Sequence, residues 1–319
     1  MDQPQNYKHY YYASARRNES VHPSPPPLPP KKNPQKKRPW RALLIFAIVV
    51  IAAYLLVPKH ATKSLSTDIK KVTASSIVSK PKPTTPSIDV ATLSQGINNI
   101  ITANSGITTS VSLIDLNTGQ TEHYGTNNTF LAASTAKIIT AEAFLHEVET
   151  GDESLTETIN GNNAEYELKQ MIVVSDDNTW EALNNEVGYT QLQDYAAKYG
   201  VTDYQSYDNV LTSSDTALML QKLWNHQLLN DTNTQLLLSW LQQANYRQYV
   251  VPAIPTDDTI YHKVGIYEDG VHDATIITHG SRAFVLVIYT NGNGIEDWPA
   301  RATMMQSIAK VALHAYFGQ

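Results

Sequence analysis

The chain has 319 residues, a formal net charge of −6 and no cysteine. The absence of cysteine excludes disulfide bonds, thiolate catalysis and thiolate metal sites. Basic residues concentrate in the N-terminal part, so the remainder is more acidic than the total, which predicts no nucleic-acid partner for it.

The N-terminal segment, residues 1–41, is predicted to be a disordered tail. It contains the proline-rich stretch 25–30 and a basic run, with little apolar material to bury. Residues 42–57 then form an uninterrupted apolar segment, slightly short for a bilayer but workable with Trp40 and slight membrane thinning. We expect this segment to be a transmembrane signal anchor, because a buried core helix would carry polar residues at helical spacing.

A cleaved signal peptide is the alternative interpretation of residues 42–57. Residues 58–61 lack a small-x-small cleavage pattern, which favours an uncleaved anchor. The N-terminal flank is more basic than the segment just after the anchor, so the tail is expected in the cytoplasm and the rest of the chain outside. Residues 58–86, rich in Ser, Thr, Lys and Pro, are expected to form a flexible extracytoplasmic linker.

Residues 87–319 are predicted to form one domain, which begins with a helix and a hairpin. Ile88 to Ala103 carries apolar residues at helical spacing. Residues 108–116 alternate in polarity, a polar turn follows, and residues 121–124 return, which predicts a β-hairpin. A longer helix is expected from Thr135 to about Glu149.

Shorter helices are expected between Glu165 and Ala244, after which the pattern returns to β structure. Residues 259–264, 273–278 and 283–290 are β-rich runs separated by glycine-containing turns, and Trp298 to Phe317 predicts a final helix. If early and late strands pair, the fold is α/β, an α+β sandwich. Its antiparallel sheet then comes from both ends of the domain, with an inserted all-helical subdomain.

The first chemical motif is Ser134-Thr135-Ala136-Lys137, at the start of the predicted longer helix. Positions i and i+3 share a helix face, so the Lys137 amine can come within hydrogen-bond reach of Ser134 Oγ. An amine shielded from water has a lowered pKa and can take the proton that a serine must lose to become a nucleophile. An ordinary solvated helix face is the alternative, since this spacing also arises by chance.

Two further motifs follow: Ser175-Asp176-Asp177, and Lys263-Val264-Gly265 on a predicted strand. Each has a structural alternative. Ser175 or Asp176 could cap a helix over residues 179–187. Lys263 could be an edge-strand lysine that prevents aggregation.

In order, the three motifs resemble the S-x-x-K, S-D-N and K-T-G set of class A β-lactamases and penicillin-binding proteins. The resemblance covers about residues 88–318 and is closest to the class A branch. It implies a β-lactamase/transpeptidase-like fold, no cofactor, and a β-lactam or a D-alanyl peptide of peptidoglycan as substrate. With the anchor, it implies a single-pass protein of the bacterial cytoplasmic membrane with an extracytoplasmic catalytic domain.

The resemblance also implies a role for each motif residue. Ser134 would be the acylated nucleophile and Lys137 its basic neighbour. Ser175 would bridge the two lysines and relay a proton to the leaving nitrogen, and Lys263 would hold positive charge near a substrate carboxylate. The N–H of Ser134 and one from the strand after Gly265 would form an oxyanion hole.

Two residues depart from the family's motifs. Asp177 stands where the family has asparagine, unless a one-residue slip puts Asn178 there, and a carboxylate can only accept hydrogen bonds when ionised. Val264 replaces the threonine of K-T-G and removes a hydroxyl. Asp177, Val264 and Gly265 are the expected substrate-binding positions, and the changes at Asp177 and Val264 predict altered substrate affinity.

A third departure concerns hydrolysis of the acyl-enzyme. Class A β-lactamases carry a loop glutamate that activates water, but residues 201–211 contain no glutamate. Asp203 and Asp208 are the carboxylates there; a turn residue is the favoured interpretation of each, and a general base is the alternative. The sequence therefore predicts slow deacylation. His262 and His272 are interpreted as structural, and no metal site is predicted.

Three functions remain open from the sequence. The first is a serine acyl-enzyme hydrolase that acts on β-lactams or on D-Ala-D-Ala peptides. The second is a catalytically impaired domain that binds cell-wall peptide or an exported protein, as the changes at Asp177 and Val264 suggest. The third is a scaffold in which the proline-rich stretch 25–30 docks a partner and the outer domain is a wall anchor.

Overall fold

The structure is a computed structural model that describes residues 88–319. The predicted tail (1–41), membrane anchor (42–57) and linker (58–86) lie outside the described residues. None of the helices between residues 88 and 319 is long and apolar enough to cross a bilayer.

The described elements alternate between one large sheet and a set of helices. The strands are β1 (Thr108–Asp115), β2 (Thr121–Gly125), β3 (Phe130–Leu131), β4 (Thr158–Ile159), β5 (Asn162–Asn163), β6 (Val210–Leu211), β7 (Thr259–Tyr267), β8 (Gly270–His279) and β9 (Arg282–Asn291). The α-helices are α1 (Val90–Ala103), α2 (Lys137–Thr150), α3 (Ala164–Val173), α4 (Asp177–Val187), α5 (Tyr189–Lys198), α6 (Ser213–Trp224), α7 (Asp231–Gln242) and α8 (Trp298–Phe317).

The main sheet has the strand order β2-β1-β9-β8-β7, and every neighbouring pair is antiparallel. Strand β1 pairs along its length with β9, so the N-terminal hairpin joins the C-terminal strands. The predicted sheet from both ends of the domain is therefore confirmed. Strand β7 lies at the edge of the sheet, and the short strands β3 and β6 pair separately.

Helices cover both faces of the sheet. Because side chains alternate along each strand, one strand contributes to the core on each face. Strand β9 is buried over nearly its whole length and contributes to two apolar cores. Val285, Val287 and Tyr289 face the core shared with the inserted helices. Phe284, Leu286 and Ile288 face the core shared with α1 and α8.

The inserted helices begin and end at residues that suit those positions. The Asp176 side chain accepts the Thr179 N–H at 3.0 Å and caps α4, as the structural interpretation of that motif expected. Gly188, with φ of 91°, lies between α4 and α5, where its conformation would strain any other residue. Thr212 and Asp215 form a reciprocal capping box at α6.

The predicted elements agree with the observed ones apart from local detail. The helix expected from Thr135 begins instead as a 3-10 helix, Ala133–Ala136, and becomes α-helical at Lys137. The three C-terminal strands are longer than predicted, whereas the final helix has the predicted bounds.

Candidate active site

Ser134 lies in the 3-10 turn between β3 and α2. Ala133 before it has a left-handed backbone with φ of 49°, which is strained for a residue with a side chain. Asn209 holds the turn: its Nδ2 donates to the Ala133 carbonyl at 3.1 Å, and its carbonyl accepts the Ala132 N–H at 2.8 Å. The turn therefore presents Ser134 in one fixed, half-buried position.

A buried polar network lies beneath this turn. His272 donates from Nε2 to the Leu131 carbonyl at 2.8 Å, and its Nδ1 accepts the Thr290 N–H at 3.2 Å, which fixes the neutral tautomer. Burial lowers the pKa of His272 to about 4. Tyr289 stacks on the imidazole, and its hydroxyl lies 2.5 Å from Thr135 Oγ1. Strands β8 and β9 are thereby connected to the turn.

Two buried lysines meet at Ser175. Lys137 Nζ donates to the Ser175 carbonyl at 2.7 Å and lies 3.4 Å from Ser175 Oγ. Lys263 Nζ donates to the same Oγ at 2.7 Å. Lys263 is on the edge strand, but only 1% of its surface is exposed, so it does not act as a solvated edge residue. The serine hydroxyl therefore connects the two amines.

The shortest contact of Lys137 is to Asp177, with 2.6 Å between Nζ and Oδ1. The Lys137 side chain is fully buried, whereas that of Asp177 is 60% exposed. Trp180 lies on the same side of α4, with its ring centroid 5.1 Å from Lys137 Nζ. Across residues 88–319, no hydrogen bond to Ser134 Oγ is found. The lysine is thus directed across the site to α4 rather than to the neighbouring hydroxyl.

The two amines have lowered pKa values. Burial lowers the pKa of Lys137, and the negative charge of Asp177 opposes that effect. Burial lowers the pKa of Lys263 well below its usual range, with the nearby charge of Lys137 adding to the shift. Burial therefore favours the neutral form of each amine, the form that can accept a proton.

Strand β7 passes directly against the turn at Gly265. A Cβ atom on Gly265 would lie 2.7 Å from the Ala132 carbonyl oxygen and 3.1 Å from the Ser134 nitrogen, so this close approach requires glycine. Val264 points to the other face of β7, where its side chain packs in the core shared with α1 and α8. It reaches the site through its carbonyl oxygen, which accepts from Lys263 Nζ at 3.3 Å.

The loop between α5 and β6 lies next to the turn through Asn209. Asp203 and Asp208 are exposed. Asn209 has φ of 52°, a conformation that asparagine tolerates better than most residues. Its Oδ1 is buried and, among the described residues, has no hydrogen-bond partner. Asn209 thus connects this loop to the turn, and its side-chain oxygen Oδ1 remains available to accept a hydrogen bond.

The structure brings together most of the predicted site residues. Lys137, Ser175, Asp177 and Lys263 form one connected group of hydrogen bonds, and Gly265 packs against the turn of Ser134. Asn178 is exposed and is not the residue that pairs with Lys137, so the ungapped alignment at Asp177 fits the geometry. The side chain of Val264 lies apart from this group.

Sequence reasoning missed Asn209 and the contact between His272 and the turn. The signal available for Asn209 was the polar stretch before the apolar pair Val210-Leu211, which is typical of a turn but does not identify its neighbour. His262 and His272 were both interpreted as structural. His262 is fully buried and bonds the Ala244 carbonyl at 3.2 Å, away from the lysines.

Replacing His272 by phenylalanine should destabilise the domain. The change leaves the Leu131 carbonyl and the Thr290 N–H without their partner, and each buried unsatisfied group costs about 1–3 kcal/mol. Because the pKa of native His272 is about 4 and that of an unfolded histidine about 6.5, the wild type loses stability as pH falls from 6.5 towards 4. The variant should lack this part of the pH dependence.

Urea denaturation at pH 7 and pH 5 measures both effects. His314→Phe is a matched control at an exposed histidine, for which we expect a change within about 0.5 kcal/mol. Equal stabilities of His272→Phe and the wild type at pH 7 would show that the network does not hold the turn.

Comparisons with known proteins give consistent results. A sequence model described as "Beta-lactamase enzyme family" matches residues 92–316. No match is found among curated proteins. The solved structure of PBP-A is similar with a TM-score of 0.66 and 18% identity, covering 73% of this chain and 98% of that one.

Two further solved structures are similar. A mutant of PBP-A, solved as an acyl-enzyme complex with penicillin G, has a TM-score of 0.65 and 18% identity, covering 71% of this chain and 96% of that one. A β-lactamase from Sphaerobacter thermophilus has a TM-score of 0.64 and 21% identity, covering 72% of this chain and 97% of that one. At these identities, the structural likeness establishes the fold.

Proposed function

The chain belongs to the beta-lactamase enzyme family, and from this premise we propose that it is a serine hydrolase that forms an acyl-enzyme at Ser134. The observation that carries the proposal is the position of Ser175, whose hydroxyl connects Lys137 and Lys263 beside the Ser134 turn. Acyl transfer from an amide needs an activated oxygen, charge stabilisation and a proton for the leaving nitrogen. In the proposed mechanism Ser134 supplies the oxygen, backbone N–H groups stabilise the charge, and Ser175 supplies the proton.

The proposed acylation proceeds in two steps. Ser134 Oγ attacks the substrate carbonyl carbon while its proton passes to the neutral amine of Lys137. The resulting oxyanion is stabilised by the N–H of Ser134 and by a β7 N–H after Gly265, since β7 lies against the turn at that point. The carbon–nitrogen bond then breaks. The leaving nitrogen takes the proton of Ser175 Oγ, which the adjacent lysines replace.

We propose that the substrate is a β-lactam or a D-alanyl peptide and that the acyl-enzyme is hydrolysed slowly. Hydrolysis requires a base to activate water, and residues 201–211 contain no glutamate. Asn209, which contacts the turn, can accept a hydrogen bond from a water molecule but cannot take its proton at neutral pH. The site therefore has better groups for acylation than for deacylation.

A catalytically impaired, peptide-binding domain is the second candidate. The ion pair between Lys137 and Asp177 favours it, because a protonated lysine cannot take a proton from Ser134. In that case the same site would bind its ligand without forming a covalent bond. One experiment separates the two candidates.

Incubating the full-length protein with penicillin G should give an adduct of the intact ligand mass, because ring opening loses no atoms. Peptide mapping should place the adduct on Ser134. Ser134→Ala should remove it, and Ser281→Ala, a control at an exposed serine, should keep it. A half-life of minutes or longer is expected for the adduct. Failure of the wild type to label at long times and high penicillin concentration would leave the binding function.

A further inference from the structure

A cluster of polar side chains lies at the end of the main sheet where β7 begins and β8 ends. Thr259 pairs with Thr278 at this end of the ladder, so the next residues outward, Asp258 and His279, come opposite each other. Asp257 is the adjacent turn residue, and Gln319 follows α8. The cluster therefore joins the turn before β7, the end of β8 and the segment after α8.

The side chains of the cluster are in direct contact. Asp258 Oδ1 lies 2.6 Å from His279 Nδ1. The Gln319 side-chain amide lies 3.1 Å from His279 Nδ1 and 3.5 Å from Asp258 Oδ1. One ligand atom each from Asp257, Asp258 and His279 lies within 4.8 Å of the other two. These separations are close enough for the groups to share one small cation.

A buried group in the cluster lacks a partner. The Asp258 side chain has no exposed surface, and its Oδ2 has no hydrogen bond to any described residue. A buried carboxylate oxygen without a partner is unfavourable. The carboxylate of Asp257, the second in the cluster, adds like charge. Arg282, opposite His279 in the β8–β9 hairpin, has its guanidinium 6.0 Å from the Phe317 ring centroid. A bound cation would satisfy the free oxygen and offset both negative charges.

The donor types indicate which cation. Asp257 and Asp258 offer carboxylate oxygens and His279 offers an imidazole nitrogen, a mixture typical of Zn²⁺, whereas Mg²⁺ and Ca²⁺ prefer six or more oxygens. The oxygen and nitrogen of the Gln319 amide are assigned only from hydrogen bonding, so the amide can turn to offer its oxygen as a fourth ligand. We propose that Asp257, Asp258, His279 and Gln319 bind one Zn²⁺ ion.

Binding requires small local changes. Zinc ligands stand about 2.0–2.2 Å from the ion, so the contact between Asp258 and His279 opens to admit it. The proton on His279 Nδ1 moves to Nε2, which leaves Nδ1 free to bind the metal. The ion would then crosslink β7, β8 and the end of α8. This role is structural and independent of acylation at Ser134.

The test is a titration of the chelator-treated, untagged full-length protein with Zn²⁺, followed by isothermal calorimetry and thermal unfolding. We expect one ion per chain and a rise in Tm of about 5–10 °C at 100 times the Kd. Mg²⁺ and Ca²⁺ at the same concentration should give no rise. Absence of stoichiometric Zn²⁺ binding, or an equal response to Mg²⁺ or Ca²⁺, overturns the proposal.

Variants locate the ion. Asp258→Asn keeps the shape of the side chain and its hydrogen bond to His279 but removes the charge, so the apo protein should remain folded while the Zn²⁺ response is lost. His279→Phe should lose it as well. Glu153→Gln, in a separate acidic cluster with Glu157 and Glu186, is the control that keeps the response. Retention of full Zn²⁺ binding by Asp258→Asn and His279→Phe would place the ion elsewhere and overturn the assignment.

Discussion

Replacing Lys137 by methionine should lower the rate of acylation by penicillin G about 10²–10⁴-fold, the usual contribution of a general base. Methionine has a similar length and is apolar, so it fits the buried position that Lys137 occupies. The change removes the amine that takes the proton of Ser134. Asp177 loses its partner, but its side chain is largely exposed and can be hydrated, so the fold should remain intact.

The rate is measured as the second-order constant for adduct formation by quenched mass spectrometry. Lys169→Met, at an exposed lysine on α3, is the matched control and should acylate at the wild-type rate. Circular dichroism and the urea midpoint establish that both variants are folded. Acylation of Lys137→Met at a near wild-type rate would assign the proton transfer to another group, with Lys263 through Ser175 as the remaining connected amine.

Much of the fold could be predicted because its sequence signals are local. The helix ending at Phe317 and the strands around residues 259–290 follow from apolar spacing and glycine-containing turns, and each lies where expected. The pairing of β1 with β9 could be predicted only as a condition, because the spacing of apolar residues within one strand does not identify the partner strand. The resemblance of the three motifs to a known family supplied that long-range information.

The contacts within the site could be predicted only in part. The sequence places Ser134 and Lys137 three residues apart, which indicates a shared face. The structure shows a 3-10 turn there and a lysine that reaches Asp177 on another helix. Burial of Lys137 and the charge of Asp177 decide that direction, and neither is encoded in local spacing.

Val264 illustrates a second limit of motif reasoning. Alternation along β7 puts neighbouring side chains on opposite faces, so Lys263 and Gly265 face the site while Val264 enters the other core. A valine suits that apolar position. At this position the motif therefore presents an apolar side chain to the core shared with α1 and α8 and lacks a hydroxyl.

Asp177→Asn should accelerate acylation about tenfold at pH 7. The negative charge of Asp177 raises the pKa of Lys137 against the effect of burial. The ion pair favours the protonated amine, so removing the charge raises the neutral fraction, about tenfold for each ~1.4 kcal/mol of attraction that is lost. Asparagine keeps an oxygen that can accept from Lys137 but lacks the charge. More of the lysine is then neutral and able to take the proton of Ser134.

Acylation requires neutral Lys137, so its rate rises with pH until the amine is deprotonated. Removing the charge of Asp177 lowers the pKa of Lys137, so the rising part of the profile should move to lower pH. Acylation rates measured from pH 6 to pH 10 test this shift. Asp203→Asn, at an exposed loop carboxylate, should leave the profile unchanged.

The direction of the change in rate assigns the role of Asp177. A faster variant with a shifted profile means that the ion pair restrains an otherwise competent nucleophile, so the domain is an enzyme held at low activity by one charge. A slower variant contradicts the prediction and makes the carboxylate a required group, which would position the Lys137 amine for proton transfer. Because the amide and the carboxylate have nearly the same shape, the difference between these outcomes reports charge rather than packing.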